Sequence, residues 1–318
     1  MMGFICKICD SVGPHKGLLV KEMMAGTRAS YPYFVCSDCG TLQIEHPVDD
    51  ASAFYDNDTY SSFKEVDVGR IRKYIASIRN RCALTGRGGL VGRLLNAKYP
   101  LTRAHYIFAQ YADRLDVSII DVGCGNGKFL DLLSSAGFER LTGIDPFIAQ
   151  ELEKPGYSIR KKYLDQLTEQ YDVLWLHHSF EHVKDPRRDL ANVRDRMSQR
   201  GVCLLTVPIK GRVFEEFGAD SYVIQAPHHN FLLTVKSMEI LCANVSLVLE
   251  AHYQDASGIS NWLKISALWQ RNVSCSEMGQ NLDGYFPESD IQRFKRIEKE
   301  LASSELGDNV TFVLRKRH

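Results

Sequence analysis

The chain has 318 residues, 44% hydrophobic and 25% charged, the composition of one large or two modest globular domains. No apolar run reaches the roughly eighteen residues that a membrane-spanning helix requires. The opening segment, with Cys6, Lys7, Cys9 and Asp10, lacks the apolar stretch of a signal peptide, so a cytoplasmic protein is expected. Lys+Arg and Asp+Glu both number 39, so no global field draws the chain onto nucleic acid, and no membrane partner is expected either.

Four of the nine cysteines stand in pairs, Cys6-x-x-Cys9 and Cys36-x-x-Cys39-Gly40. A disulfide framework belongs to small secreted chains. Two CxxC turns, each presenting two sulfurs, suit tetrahedral Zn²⁺ instead, and four thiolates leave no open position, so the metal is expected to be structural. A redox role is the alternative, but redox CxxC motifs are single and start a helix. Residues 1–45 therefore read as a zinc-ribbon-like domain.

Residues 46–110 read as an aromatic and basic segment that links the domains or covers a substrate. Phe54, Tyr55, Tyr60 and Phe63 punctuate its first part, and Lys64 to Arg103 holds ten Lys/Arg against Glu65 and Asp67. Ile71, Ile75 and Ile78 recur at helical spacing before Gly86, Gly88 and Gly89 interrupt. Such a run is either a solvated helix face or a surface for a phosphate-bearing ligand, with Arg70, Arg72 and Arg79 as forks for a diphosphate.

From residue 111 strands and helices alternate, which predicts an α/β fold, a mostly parallel sheet with helices on both faces. Val117–Val122, Leu141–Ile144, Asp172–His177, Val202–Val207, Leu247–Glu250 and Val310–Leu314 read as strands. Phe129 to Ala136 reads as a helix ended by Gly137. Leu190, Val193 and Met197 read as a helical stripe stopped by Gly201, and Thr234 as the N-cap of another helix. Ile291, Phe294, Ile297 and Leu301 predict an amphipathic helix, whereas Asn261–Trp269 fits a strand or a helix.

The strongest signal is Asp121-Val-Gly-Cys-Gly-Asn-Gly127, between a strand and a helix. Absent side chains let the backbone approach a ligand, and helix N–H groups face it. Asp145 stands at the end of the next strand, where a carboxylate takes both hydroxyls of a ribose. A dinucleotide calls for Gly-x-Gly-x-x-Gly, and here the third glycine comes one residue early. The pattern resembles the first motif of class I S-adenosylmethionine-dependent methyltransferases. Gly143-Ile-Asp-Pro146, Tyr171-Asp-Val-Leu174 and His178-Ser-Phe-Glu-His-Val-Lys-Asp-Pro186 resemble later motifs of that family.

The resemblance implies a Rossmann-like, seven-stranded, mostly parallel sheet in residues 111–318. It also implies that S-adenosylmethionine is held by Asp121, Gly123, Gly125, Gly127 and Asp145, with Phe147 against the adenine and His177 nearby. The usual acidic adenine contact is represented only by Asp165.

His178, Glu181 and His182 follow the fourth strand, and His228 and His229 follow the fifth, at the carboxyl edge where ligands bind. Three readings stand. Glu181 and His182 cap the next helix or hold the two loops together. Alternatively, His178, His182, His229 and Glu181 act as base or acceptor-positioning groups. In the third reading, His178, Glu181 and His182 share one helical face and, with His229, bind a divalent metal of the softer kind.

A cysteine module before a methyltransferase domain resembles bacterial methyltransferases of sugar and polysaccharide pathways, including nucleotide-sugar C-methyltransferases. The resemblance is carried by Cys6, Cys9, Cys36, Cys39, Tyr55 and Tyr60. It implies a small, sugar-derived acceptor, a nucleotide-linked sugar or a glycan precursor. The alternatives are an RNA methyltransferase with a zinc module, against which the balanced charge speaks, and a catalytically silent protein that binds the cofactor.

Overall fold

A computed structural model describes residues 4–48 and 69–317. Phe54, Tyr55, Tyr60 and Phe63 lie outside the described residues.

The amino-terminal segment forms β1 (Lys16–Lys21), β2 (Ser30–Val35) and β3 (Leu42–Ile44), antiparallel in that order. The basic run forms α1 (Arg70–Thr85) and α2 (Gly89–Lys98), separated at the expected glycines, and α3 (Arg103–Tyr111) follows. Helical spacing in α1 does not translate into a buried stripe, since Ile71 is 78% and Ile75 43% exposed. The buried residues of α1 are Asn80 and Leu84, and Asn80 donates to the hydroxyl of Ser135 at 2.8 Å.

The α/β part begins with β4 (Ser118–Val122), α4 (Lys128–Ala136) and β5 (Arg140–Ile144). A hairpin of β6 (Leu152–Lys154) and β7 (Tyr157–Arg160) leads to β8 (Tyr171–His177), α5 (Pro186–Arg196) and β9 (Met197–Pro208). Met197 belongs to β9 and not to the helix before it. Its backbone pairs with Tyr171 of β8 and its side chain is fully buried, so sheet pairing overrides the helical stripe. After α6 (Arg212–Phe217) come β10 (Phe231–Leu232), α7 (Val235–Asn244) and β11 (Leu247–Asp255). Thr234 caps α7 as expected, its hydroxyl oxygen accepting from the amide of Ser237 at 3.1 Å. The ambiguous segment is helical, α8 (Ile259–Gln270), and α9 (Glu288–Ser303) and β12 (Asn309–Lys316) close the chain.

The main sheet has the order β11-β12-β9-β8-β4-β5-β7-β6. Its centre, β9-β8-β4-β5-β7, is parallel, while β12, β11 and β6 run antiparallel to their neighbours. The short β6 adds one strand to the seven expected. Alternation along the strands divides the core. Ile119, Val173, Trp175 and Leu204 pack with α3 and α4, whereas Ile120, Leu174, Leu176 and Leu205 pack with α5 and α7. The smaller sheet reads β1-β2-β3-β10, so a strand from the α/β part completes the amino-terminal sheet.

Candidate active site

The carboxyl ends of β4, β5, β8 and β9 open onto a cavity of about 1380 Å³. Gly123, Gly125, Asp145, Phe147 and His177 line one part of it, and His178, Glu181, His182, His228 and His229 another. Asp121 and Gly127 are not among the lining residues; they stand at the two ends of the glycine loop.

Two glycines are required by geometry. Gly123 has φ +78°, and a Cβ there would lie 2.7 Å from Cβ of Ser179. Gly127 has φ +80° where α4 begins, and its Cβ would meet Cδ1 of Ile159 at 2.7 Å. Loop and sheet therefore approach more closely than any side chain permits.

Asp145 is 6% exposed and is held by the backbone, Oδ2 accepting from the amide of Gly125 at 3.0 Å and Oδ1 from that of Phe147 at 2.8 Å. Burial nevertheless raises its pKa above the usual carboxylate range. Asp121 is 5% exposed, and burial together with the charge of Asp145 pushes its pKa up to about 8. Two buried carboxyls beside one loop make a place that favours positive charge. Asp165 also lines the cavity, with Oδ2 accepting from Arg188 at 2.9 Å.

At the other end, His178 has φ +54° at the close of β8, and its Nδ1 lies 3.3 Å from Oε1 of Glu181. Glu181 is 1% exposed, and its Oε2 has no hydrogen-bond partner among the described residues. Burial works to raise the Glu181 pKa, but the His178 hydrogen bond and the charges of His182, His178 and His229 hold it at about 2. Nδ1 of His182 donates to the carbonyl of His228 at 2.9 Å, and Nδ1 of His229 to that of Val223 at 2.7 Å. Burial and the neighbouring His182 charge depress His229 to about 3. For His177, burial and the charges of His178 and His105 have the same result, about 3, and the ring stacks on Trp175 at 5.4 Å. These two imidazoles are neutral at physiological pH.

Helix capping by Glu181 or His182 is overturned. They form a 3₁₀ turn with Phe180, and the N-cap of α5 is Asp185, accepting from the amide of Arg188 at 3.1 Å. The two loops are nevertheless joined. Asn230 donates through Nδ2 to the carbonyls of His182 and Val183 at 2.7 and 3.1 Å, and through its backbone N–H to the backbone carbonyl of Glu181 at 2.8 Å.

Sequence reasoning missed Asn230, Ser179, Tyr222 and Trp262 in the cavity wall, as well as Met24 and Val48 from the amino-terminal segment. Asn230 directly follows His229 and Ser179 directly follows His178, so both were within reach of a local pattern. The others arrive from loops and from α8, whose helical state was undecided. Arg70, Arg72 and Arg79 are not among the lining residues, and the Arg79 guanidinium donates to Asn80 Oδ1 at 2.7 and 3.0 Å.

The four paired cysteines converge. Sγ of Cys6 lies 3.6 Å from that of Cys39, Cys9 and Cys36 are equally far apart, and all four sulfurs fall within 4.8 Å of one another. Nε2 of Gln43 donates to Sγ of Cys6 at 3.0 Å.

A family model described as a methyltransferase domain matches residues 70–252. No curated protein matches the sequence. Among solved structures, the chain is similar to a putative sarcosine dimethylglycine methyltransferase from Galdieria sulphuraria, at 12% identity and TM-score 0.43, over 67% of this chain and 84% of that one. It is similar to an S-adenosylmethionine-dependent methyltransferase from Mesorhizobium loti, at 14% identity and TM-score 0.43, over 67% and 98%. The cyclopropane synthase MmaA2 from Mycobacterium tuberculosis matches at 15% identity and TM-score 0.42, over 79% and 100%.

Proposed function

This chain belongs to the methyltransferase-domain family and is an S-adenosylmethionine-dependent methyltransferase, and on that premise we propose that it methylates a small, sugar-derived acceptor bound at the histidine end of the cavity. The observation that carries this reading is the continuity of one cavity from Asp145 and the glycine loop to a wall rich in polar and aromatic groups. Glu181, Asn230 and Gln225 supply hydrogen-bonding groups there, and Tyr222 and Trp262 supply flat apolar faces, the mixture that recognises a sugar.

The residues at the other end suit the cofactor. Asp145 accepts from the ribose hydroxyls, Gly123 and Gly125 keep the backbone close to the ligand, and Gly127 lets the loop turn into α4 against Ile159. Phe147 lies against the adenine, with His177 beside it. Asp121 and Asp145 keep their charged forms at lower cost when a cation binds near them. Once bound, the cofactor supplies a methyl group already activated on a positively charged sulfur. What the protein adds is alignment of the acceptor with that S–CH₃ bond, a task we assign to His178, Glu181, His182 and His229.

Cys6, Cys9, Cys36 and Cys39 hold a structural Zn²⁺ in this reading. Zn–S bonds of about 2.3 Å in a tetrahedron put sulfurs about 3.8 Å apart, close to the 3.6 Å spacings here, whereas a disulfide needs about 2.05 Å. Residues 1–45 are then the zinc module and 111–318 the catalytic domain.

Two measurements test the proposal. Calorimetry with S-adenosylhomocysteine should give saturable heat that Asp145→Ala greatly weakens. Nucleotide-linked and free sugars screened with labelled methyl donor should yield a methylated product; label transferred only to RNA would overturn the acceptor class.

A further inference from the structure

We propose that Glu181, His182 and His229 form a second metal centre, which takes a divalent first-row transition cation and presents it to an oxygen of the acceptor. One carboxylate oxygen and one nitrogen from each imidazole lie within 4.8 Å of one another, and all three residues line the cavity. His178, the fourth group in the sequence-based set, is not a ligand here. Its Nδ1 is turned to Oε1 of Glu181 at 3.3 Å, so it orients the carboxylate.

The geometry around the three donors is that of a prepared site. A backbone carbonyl only accepts, so Nδ1 carries the proton in both rings, in His182 toward His228 and in His229 toward Val223. Nε2 is therefore the nitrogen through which each ring would bind a cation. Fixing the tautomer and ring angle by an outer hydrogen bond to a carbonyl is how metal-binding histidines are commonly held. Independently, Oε2 of Glu181, in a residue only 1% exposed, has no hydrogen-bond partner among the described residues. A buried carboxylate oxygen left unmatched carries a large desolvation cost, which a cation at this point offsets.

The donor set selects the ion. Two imidazoles and one carboxylate suit Mn²⁺, Fe²⁺, Co²⁺ or Zn²⁺ rather than an all-oxygen Ca²⁺ site or an all-thiolate one. Three protein ligands leave further positions open, as catalytic sites do and closed structural sites do not. Bonds of about 2.0–2.2 Å hold cis ligands about 3–3.5 Å apart, so the donors draw together on loading. The open positions take a hydroxyl oxygen of the acceptor, which deepens the proposed function by naming an oxygen-ligating acceptor, and to that extent rests on it.

The test uses the full chain with its cysteine site zinc-filled, and Mn²⁺ as the probe, because a hard ion competes poorly for thiolates. One Mn²⁺ should bind per chain, and pulsed electron paramagnetic resonance should detect coupling to imidazole nitrogen. Glu181→Gln and His229→Ala should each weaken Mn²⁺ binding by about 100-fold, while S-adenosylhomocysteine binding, which reports the folded state, remains. If a variant fails to fold, the nitrogen coupling in the wild type still decides. No cation beyond the zinc, from Mn²⁺, Co²⁺ or added Zn²⁺, or Mn²⁺ bound without nitrogen coupling, would overturn the inference. Intact S-adenosylhomocysteine binding with no second cation removes this inference alone. A second cation without S-adenosylhomocysteine binding removes the proposed function and leaves the metal centre standing.

Discussion

The phenol of Tyr33, on β2 of the amino-terminal sheet, donates a 3.0 Å hydrogen bond to the backbone carbonyl of His229 in the cavity wall. Around this bond, the amide of Ile44 donates to Asn230 at 3.0 Å, β10 pairs with β3, and the hydroxyl of Thr234 donates to the carbonyl of Cys39 at 2.8 Å. The cysteine module is thus bonded to the loop that carries the histidines and braces it from outside the α/β core.

Removing that brace should be felt in the cavity. Tyr33→Phe deletes one buried hydrogen bond and leaves a carbonyl unmatched, at a cost of about 1–2 kcal/mol. Thermal unfolding should report the loss, and methyl transfer should fall more than S-adenosylhomocysteine affinity does, because the bond supports the acceptor end. Equal losses in both would show that the module supports the whole cavity.

Zinc should matter through the same contacts. If the four thiolates hold zinc as proposed, Cys36→Ser removes the metal, lowers the unfolding temperature and reduces turnover. Metal analysis beside a thermal melt checks this, and a variant that stays metal-loaded and active would contradict it.

Replacing Asp145 by Asn keeps its size but removes the charge that, in the proposed reading, the ribose hydroxyls bond. Such charge-assisted bonds are worth about 2–3 kcal/mol, so S-adenosylhomocysteine should bind about 30- to 150-fold more weakly in calorimetry. A change under about threefold would exclude Asp145 from the ribose contact.

The raised pKa of Asp121 predicts a pH dependence. With its folded value at about 8 and an unfolded value of about 3.9, the folded protein binds the extra proton between them. Its contribution to stability is therefore complete below the unfolded value and is lost as pH rises to about 8. Ligand-free protein should melt lower at alkaline pH, and Asp121→Asn should flatten that slope. A cationic ligand favours the ionised carboxyl, so S-adenosylmethionine affinity should rise over the same range. Calorimetry in buffers of different ionisation heat would detect the released proton.

Gly123→Ala should fail for a steric reason. The residue would adopt φ +78° with its Cβ 2.7 Å from Cβ of Ser179, costing about 1–2 kcal/mol for the backbone alone. Adding Ser179→Gly relieves the clash but not the backbone strain, so stability in urea unfolding should return only in part.

Much of the fold was legible because its signals are local. The apolar runs at Ile119–Val122 and Val173–Leu176 mark buried strands, and Gly137, at φ +105°, ends α4 as expected. The helical spacing of Ile71 and Ile75 was genuine, but burial depends on what packs alongside, and among the described residues little does. Met197 went to β9 because a partner strand 26 residues earlier in sequence outweighed its neighbours in the helix.

The sequence by itself determined the α/β alternation, the glycine loop with Asp145, and the pairing of four cysteines, since these are written in short strand-helix-strand stretches or within one CxxC turn. Only the tertiary structure decided that His178 leaves the ligand-like set and that Glu181, His182 and His229 remain in it. It alone joined β10 to the amino-terminal sheet. Those outcomes depend on hydrogen bonds between segments far apart in the chain, such as Tyr33 to His229, which no spacing pattern records.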